Sequence, residues 1–129
     1  AADAYRAVTE LPGTDVTTRS QAGLGLARVL EEQAALAGET EEREELLQKS
    51  LNQCMKIVFG ANLRSASEKM APFWVKEAGL MAGHLAGRLG LAKEERSVYS
   101  RLAKELPDMP LWQAKLDALK VGPEAPKAP

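Results

Sequence analysis

His84, the one histidine of this 129-residue chain, is the side chain with the broadest capacity for chemistry. A metal site requires three or four ligands, and an activated nucleophile requires a base that is itself oriented by a partner. No cysteine or carboxylate stands at a metal-ligand spacing from His84, whose nearest charged neighbours in sequence are Lys76, Glu77 and Arg88. We therefore predict that His84 lines a groove or has a structural role. The chain is expected to need no metal or cofactor and to have no catalytic activity.

Cys54 is the only cysteine, so no intrachain disulfide can form and the redox compartment stays open. Its apolar neighbours in LNQCMKIV, residues 51–58, favour a buried structural thiol over a reactive one. The other dense group of ionisable side chains is ETEEREE, residues 39–45. A calcium loop needs alternating oxygen ligands around a central glycine, so we interpret this stretch as the solvated start of a helix.

Gly79, Gly83 and Gly87 recur every four residues, with alanines beside them. In a membrane this spacing would indicate a helix-dimerisation seam, but charged residues interrupt the segment. Inside a helix each glycine costs about 1 kcal/mol relative to alanine, so three of them indicate a compensating close contact. We expect close packing against a neighbouring helix of the same chain. The alternative is a ligand or partner that approaches this bare face.

Two tryptophans, Trp74 and Trp112, lie near predicted helix starts. A tryptophan either fills a core with its N–H hydrogen-bonded or anchors a partner from an exposed position. Leu116 and Leu119 share the helical stripe of Trp112, which predicts a core position for it. Both roles stay open for Trp74.

Composition favours packed helices, because hydrophobic residues make up 45% of the chain and aromatic residues only 5%. The formal net charge of −1 gives no reason to expect nucleic acid or an anionic membrane as a partner. No apolar run approaches the roughly 18 residues that a membrane span needs. Charge is uneven, with 6 basic and 10 acidic residues in 1–63 against 11 and 8 in 64–129. This asymmetry either orients a partner or a neighbouring repeat, or is a chance feature of a solvated surface.

Helix-breaking residues divide the chain into five or six helices and predict no strand. The breaks fall at Pro12, Gly38, Gly60, Gly90 and Pro107. The predicted helices run from Ala2 to Leu11, to about Leu36, from Thr40 to Phe59, from Phe73 or earlier to Leu89, from Ala92 to Leu106, and onward from a cap at Asp108. Residues 1–121 form the predicted domain, and the Pro-rich tail, residues 122–129, is predicted to be disordered.

Two helix starts allow alternatives. Thr14 or Asp15 can cap the second helix by accepting a backbone N–H. The fourth helix begins either at Ser65, which has the spacing of a capping box with Glu68, or at Pro72, which suits a first helical turn.

One helical phrase occurs twice, as AYRAVTELP in residues 4–12 and VYSRLAKELP in residues 98–107. The segment from Ala78 to Pro110 resembles a tetratricopeptide repeat. The positions that carry the resemblance are a small residue in the first helix, a turn glycine, a large residue in the second helix and a terminal proline: Gly83, Gly90, Tyr99 and Pro107. Glu95 departs from the family, which prefers alanine there. The second helices of successive pairs end 48 and 47 residues apart, at Leu11, Phe59 and Leu106, whereas the usual repeat is about 34 residues. The endings ELPGTD and ELPDMP are similar to repeats of bacterial envelope scaffolds.

This resemblance implies an all-α array of antiparallel helical hairpins whose first helices line a concave face. The implied function is a protein–protein interaction or scaffold module that binds a peptide or helix by charge-assisted hydrogen bonds and apolar contacts. The expected binding residues are Arg19, Gln21, Arg28, Phe73, Trp74, Lys76, Glu77 and His84.

The alternative function is a structural segment, without a ligand, whose exposed terminal helices pack on further repeats of its own chain or on another copy. The chain opens on AADAYR, with neither an initiator methionine nor a leader, so we expect it to be a piece of a longer protein. Both the cytoplasm and the periplasm or cell envelope stay open as its compartment.

Overall fold

Six α-helices make up the computed structural model, which describes residues 1–120. They are α1 (Ala2–Glu10), α2 (Val16–Leu36), α3 (Thr40–Val58), α4 (Pro72–Arg88), α5 (Ala92–Glu105) and α6 (Leu111–Lys120). Within these residues there is no strand, so the all-α prediction is confirmed. Each helix packs on the next in chain order, and α2 also contacts α4 as α3 contacts α5, which is the packing of a helical bundle or array. The predicted tail, residues 122–129, lies outside the described residues.

The turn between α4 and α5 shows how local sequence sets these boundaries. Gly90 has a φ of 72°, a left-handed conformation that side-chain-bearing residues rarely adopt. The N–H groups of Gly90 and Leu91 donate to the carbonyl oxygens of Gly87 and Ala86 at 3.1 and 2.8 Å. These bonds satisfy carbonyls that the end of α4 would otherwise leave unpaired. The chain therefore reverses within three residues, and α5 packs back along α4.

Asp15 caps α2, which decides between the two candidates at that start. Its carboxylate accepts the Thr18 N–H at 2.7 Å, and hydrogen bonds to Thr18 lower the pKa of Asp15 below its ordinary value. At the other end of the chain, the predicted cap at Asp108 is wrong. Helix α6 begins at Leu111, and the carbonyl that accepts the Ala114 N–H belongs to Pro110.

Of the two predicted starts for α4, the structure has Pro72 in the first turn. The capping-box alternative fails because Glu68 has other partners. Its carboxylate accepts the backbone N–H of Arg64 at 2.6 Å and a guanidinium N–H of Arg19 at 2.5 Å. A tertiary ion pair thus outcompetes the local cap that the sequence spacing suggested.

The core lies between α2, α3, α4 and α5, and one wall of it is closed by α6. Its largest members are aliphatic side chains with almost no exposed surface, together with one indole ring: Leu24, Leu51, Val58, Val75, Leu85, Val98, Leu102 and Trp112. Cys54 belongs to this core, as predicted, and has no exposed surface. Burial, with a smaller contribution from Glu31, raises the pKa of Cys54 to about 12. The thiol therefore stays neutral and inert at ordinary pH.

Two of the three spaced glycines of α4 pack against α5, which confirms the expected intramolecular contact. A Cβ at Gly79 would lie 2.8 Å from Cδ2 of Leu102, and one at Gly83 would lie 2.5 Å from Cζ of Tyr99. Gly87 differs, since its Cβ would meet only the Glu95 carboxylate, at 3.5 Å. Close approach of α4 and α5 thus depends on the first two glycines and not on the third.

Trp112 is fully buried, as predicted, but its indole N–H lacks the expected hydrogen bond. Among residues 1–120 it is the buried side-chain polar group without a partner. Trp74 is partly buried against the core and partly exposed.

Candidate binding surface

Arg19 is the one predicted binding residue that the structure withdraws from the surface. Only 2% of its side chain is exposed. The guanidinium donates to Glu68 at 2.5 Å, to the Asn62 carbonyl oxygen at 3.1 Å and to the Thr14 carbonyl oxygen. Because these partners occupy its donors, Arg19 ties the connection between α3 and α4 to the start of α2. Its expected place in an exposed groove is corrected accordingly.

Neighbouring polar side chains extend this internal network. Arg64 donates to the carbonyl oxygens of Thr9 and Leu11, at 3.0 and 2.9 Å, where α1 ends. Asn62 donates to the Ser20 hydroxyl at 2.8 Å. Hydrogen bonds from Arg19 and from the Arg64 backbone hold the pKa of Glu68 below its ordinary value. The cations on this side of the molecule are therefore largely committed to structural bonds.

The start of α4 presents the apolar part of the predicted site. Phe73 is 56% exposed and packs edge-on against Trp74, with their ring centroids 4.9 Å apart. Lys76 places its Nζ 5.1 Å from the Phe73 centroid and 3.7 Å from Glu77 Oε2. An exposed aromatic ring beside a partly exposed ion pair is a combination that suits contact with another protein.

Helical spacing continues this surface along α4. Phe73, Glu77, Leu80, His84 and Arg88 follow one another at intervals of three or four residues, and therefore share one side of the helix. None of the five is buried. We call this the α4 exposed face; it is about 22 Å long at 1.5 Å per residue.

Gln21 and Arg28 are exposed on α2, seven residues apart and on one side of that helix. An ion pair joins α2 to the C-terminal end of α4, where Arg88 and Glu31 lie 3.3 Å apart. Gln21 and Arg28 thus lie on the helix that neighbours α4, but neither forms a hydrogen bond or ion pair with the α4 exposed face.

His84 lies in an open depression between α4, α5 and α6. We call it the α4–α6 groove, and its lining residues are Leu80, Gly83, His84, Gly87, Arg88, Glu95, Tyr99 and Lys115. Gly83 and Gly87 leave the middle of α4 without side chains, so Tyr99 and Glu95 of α5 reach its surface. Lys115 enters from α6, with its Nζ 5.5 Å from the Tyr99 ring centroid.

The α4–α6 groove combines a neutral phenol with charges of both signs. Only 4% of Tyr99 is exposed, and burial, followed by the nearby Glu95 carboxylate, raises the pKa of Tyr99 to about 12. The phenol is therefore neutral at ordinary pH. Arg88 and Lys115 supply positive charge on two sides of the depression, and the His84 imidazole also lines it.

The thiol and the phenol of this part of the structure are poorly suited to nucleophilic chemistry. The Cys54 thiol is buried in the core, and a phenol with a raised pKa is a poor nucleophile. In the part of the chain that the structure describes, no group of three or more His, Cys, Asp or Glu side chains is placed to hold a metal ion. Cations beside a partly apolar depression can instead bind carboxylates and the side chains around them.

Sequence reasoning missed five of the groove residues. Leu80 and Arg88 could have been predicted from the sequence, because each stands four residues from His84 on the same helical stripe. Tyr99 and Glu95 stand out in the sequence only by their positions in the repeat-like segment. Lys115 carries no sequence signal, since its place depends on how α6 crosses α5.

No protein-family model, curated protein or solved structure matches this chain. Among the described residues, no helix has the length and apolar character required to cross a membrane.

Proposed function

We propose that this chain is a non-catalytic protein-interaction module that binds a peptide or helix along the α4 exposed face and in the α4–α6 groove. The observation that carries the proposal is the groove itself. Two glycines leave α4 bare there, a neutral tyrosine forms the floor, and Arg88 and Lys115 stand at the edges. Short peptides are recognised by such grooves through a few apolar anchors and charge-assisted hydrogen bonds.

The resemblance to tetratricopeptide repeats supports the same position. In that family the first helices of successive pairs line the concave surface. Here α4 is the first helix of one pair and α6 the first helix of the next, and the groove lies between them. Phe73 extends the surface at the other end of α4 with an exposed apolar ring.

A peptide-display selection on the immobilised protein tests the proposal. Enriched peptides should carry a carboxylate near an apolar residue, and they should bind the free protein in a fluorescence anisotropy titration. Lys115→Glu and His84→Glu should each weaken that binding by about 10- to 100-fold, because a charge-assisted hydrogen bond is worth about 1.5–3 kcal/mol. Lys76→Glu should weaken peptides that reach the Phe73 end of the α4 exposed face.

Lys49→Glu is the matched control, since Lys49 is exposed on α3 and lies outside the groove. All variants should keep the helical circular dichroism spectrum of the parent protein. The proposal fails if no peptide is enriched over the bare matrix, or if enriched peptides bind Lys115→Glu and Lys49→Glu equally well.

The alternative function, a structural segment that packs through its terminal helices, has its own supporting observation. Leu11 and Leu111, at the end of α1 and the start of α6, are both exposed. It predicts that Tyr5→Asp and Leu111→Asp abolish assembly, while Lys115→Glu leaves assembly unchanged. A comparison of these three variants by size-exclusion chromatography of the full-length protein separates the two functions.

A further inference from the structure

A second depression, on the side of α5 away from the α4–α6 groove, is strongly basic. It is lined by Phe59, Lys93, Arg96, Ser97, Ser100, Arg101 and Lys104, which we call the α5 basic face. The α5 residues recur at intervals of three or four, so they share one side of the helix. Phe59 adds an aromatic ring that is 39% exposed.

Most of this positive charge is not neutralised within the molecule. Arg101 pairs with Glu105 at 3.4 Å and donates to the Val58 carbonyl oxygen at 3.4 Å. Lys93, Arg96 and Lys104 form no ion pair with any residue between 1 and 120. Three unpaired cations within about 16 Å of one helix repel each other and attract a negatively charged surface.

The same chain carries a complementary surface at the start of α3. Glu39, Glu41, Glu42, Glu44 and Glu45 are all exposed, and none of them forms an ion pair within the described residues. We call them the α3 acidic start. The interleaved Arg43 offsets only one of these five negative charges, and its guanidinium donates to the Ala37 carbonyl oxygen at 3.1 Å instead of pairing with a glutamate.

The two surfaces lie too far apart to pair within one molecule. Arg101 contacts Val58, so the α5 basic face adjoins the C-terminal end of α3, whereas the glutamates occupy its N-terminal end. The 17 residues from Glu42 to Phe59 correspond to about 25 Å of helix. That distance is about three Debye lengths at physiological salt, so each surface is free to act on another molecule.

We propose that copies of this chain associate head to tail, the α3 acidic start of one copy binding the α5 basic face of the next. The occupant is a second copy because this chain itself carries the complementary charge, in five exposed glutamates at the start of α3. Such a contact joins two different surfaces, so it extends into longer assemblies unless the rotation between copies closes a ring. The contact is independent of the α4–α6 groove and leaves that groove open.

Sedimentation velocity on the whole chain tests this association. The average mass should rise with protein concentration at about 20 mM NaCl and return to that of the monomer at about 500 mM, where charges are screened within a few ångströms. One variant, with Lys93→Gln, Arg96→Gln and Lys104→Gln, lacks the basic surface. A second, with Glu41→Gln, Glu42→Gln and Glu45→Gln, lacks the acidic one. Each alone should associate at least about tenfold more weakly than the parent.

An equimolar mixture of the two variants provides the sharpest outcome. Each partner retains one intact surface, so the mixture should form a one-to-one dimer that does not grow further. A control with Lys49→Gln, Lys56→Gln and Lys69→Gln has the same change in net charge away from the α5 basic face and should associate like the parent.

Three results would overturn the proposal. The first is a monomer at all salt concentrations, and the second is an equal loss of association in the control. The third is association that persists at high salt and in both neutralised variants, which would point to apolar contacts between terminal helices instead. A labelled single-stranded oligonucleotide that binds the parent protein, while the parent shows no self-association, would assign the basic surface to nucleic acid.

Discussion

A methyl group added at Gly83 should destabilise the protein, whereas the same group added at Gly87 should stabilise it. Both glycines lie inside α4, and alanine is favoured over glycine in a helix by about 1 kcal/mol. The difference comes from what the methyl meets. At Gly87 it lies 3.5 Å from the nearest atom of Glu95, which is an ordinary contact distance.

At Gly83 the new Cβ would lie 2.5 Å from Cε1 and from Cζ of Tyr99, and it would also overlap the hydroxyl oxygen. Carbon atoms prefer separations of about 3.5–4.0 Å, so the ring must retreat by about 1 Å. Tyr99 is almost fully buried, and overpacking such a site costs about 1–3 kcal/mol. After the helix-propensity gain, Gly83→Ala should lose about 1 kcal/mol and Gly87→Ala should gain somewhat less than 1 kcal/mol.

Urea unfolding followed by circular dichroism measures this difference directly. The two variants should differ by about 2 kcal/mol in free energy of unfolding, or about 8 °C in melting temperature for a domain of this size. Gly79→Ala, which overlaps Leu102, should resemble Gly83→Ala. The packing argument is refuted if Gly83→Ala is as stable as Gly87→Ala, since the ring would then relax at no cost.

Three further outcomes follow from buried or paired groups. The native-state pKa values of Cys54 and Tyr99 are raised to about 12 from ordinary values of 9.0 and 10.0, so the native state binds more protons than the unfolded chain between about pH 9 and 12. The free energy of unfolding should fall across that window, and less steeply in Cys54→Ala and Tyr99→Phe, as measured by urea titrations at stepped pH. The pKa of Glu68 is lowered from its ordinary value of 4.5, so the ionised carboxylate stabilises the folded protein above that pH. This stabilisation is lost as the pH falls through the pKa of Glu68 in the native state. Glu68→Gln should abolish this part of the acid dependence in the same assay. Trp112→Phe removes an unpaired buried N–H along with some ring area and should cost less than about 1.5 kcal/mol, against about 3–5 kcal/mol for Trp112→Ala, by urea unfolding.

Boundaries of the helices were predictable because their signals are local. Gly90 requires a left-handed backbone and Asp15 caps with its own side chain, and both act within a few residues of their position in the sequence. The wrong prediction at Asp108 also came from a local signal. Aspartate is a favoured capping residue, but α6 begins at Leu111, so Pro110 and not Asp108 directly precedes the helix.

The candidate binding surface was predictable only in part, because its geometry depends on residues distant in sequence. Arg19 is charged, so the sequence alone predicts that it is exposed. It is buried instead, where it donates to Glu68, a residue 49 positions away. Phe73 and His84 are both exposed on one side of α4, and helical spacing alone determines which residues share a side. Lys115 reaches the groove through the crossing of α5 and α6, which no spacing within one helix encodes.

The bonds from Arg64 to the end of α1 bear on the order in which the chain assembles during synthesis. Those bonds join residues 53 and 55 positions apart, and no residue of α1 is buried. A nine-residue helix is marginal in water by itself, so α1 depends on contacts made later. At about 5–20 residues per second, a ribosome needs roughly 3–10 s after completing α1 to add Arg64. Helix α1 is therefore complete for that interval before the residue that hydrogen-bonds its end exists, and until then it has its contacts with α2 to stabilise it.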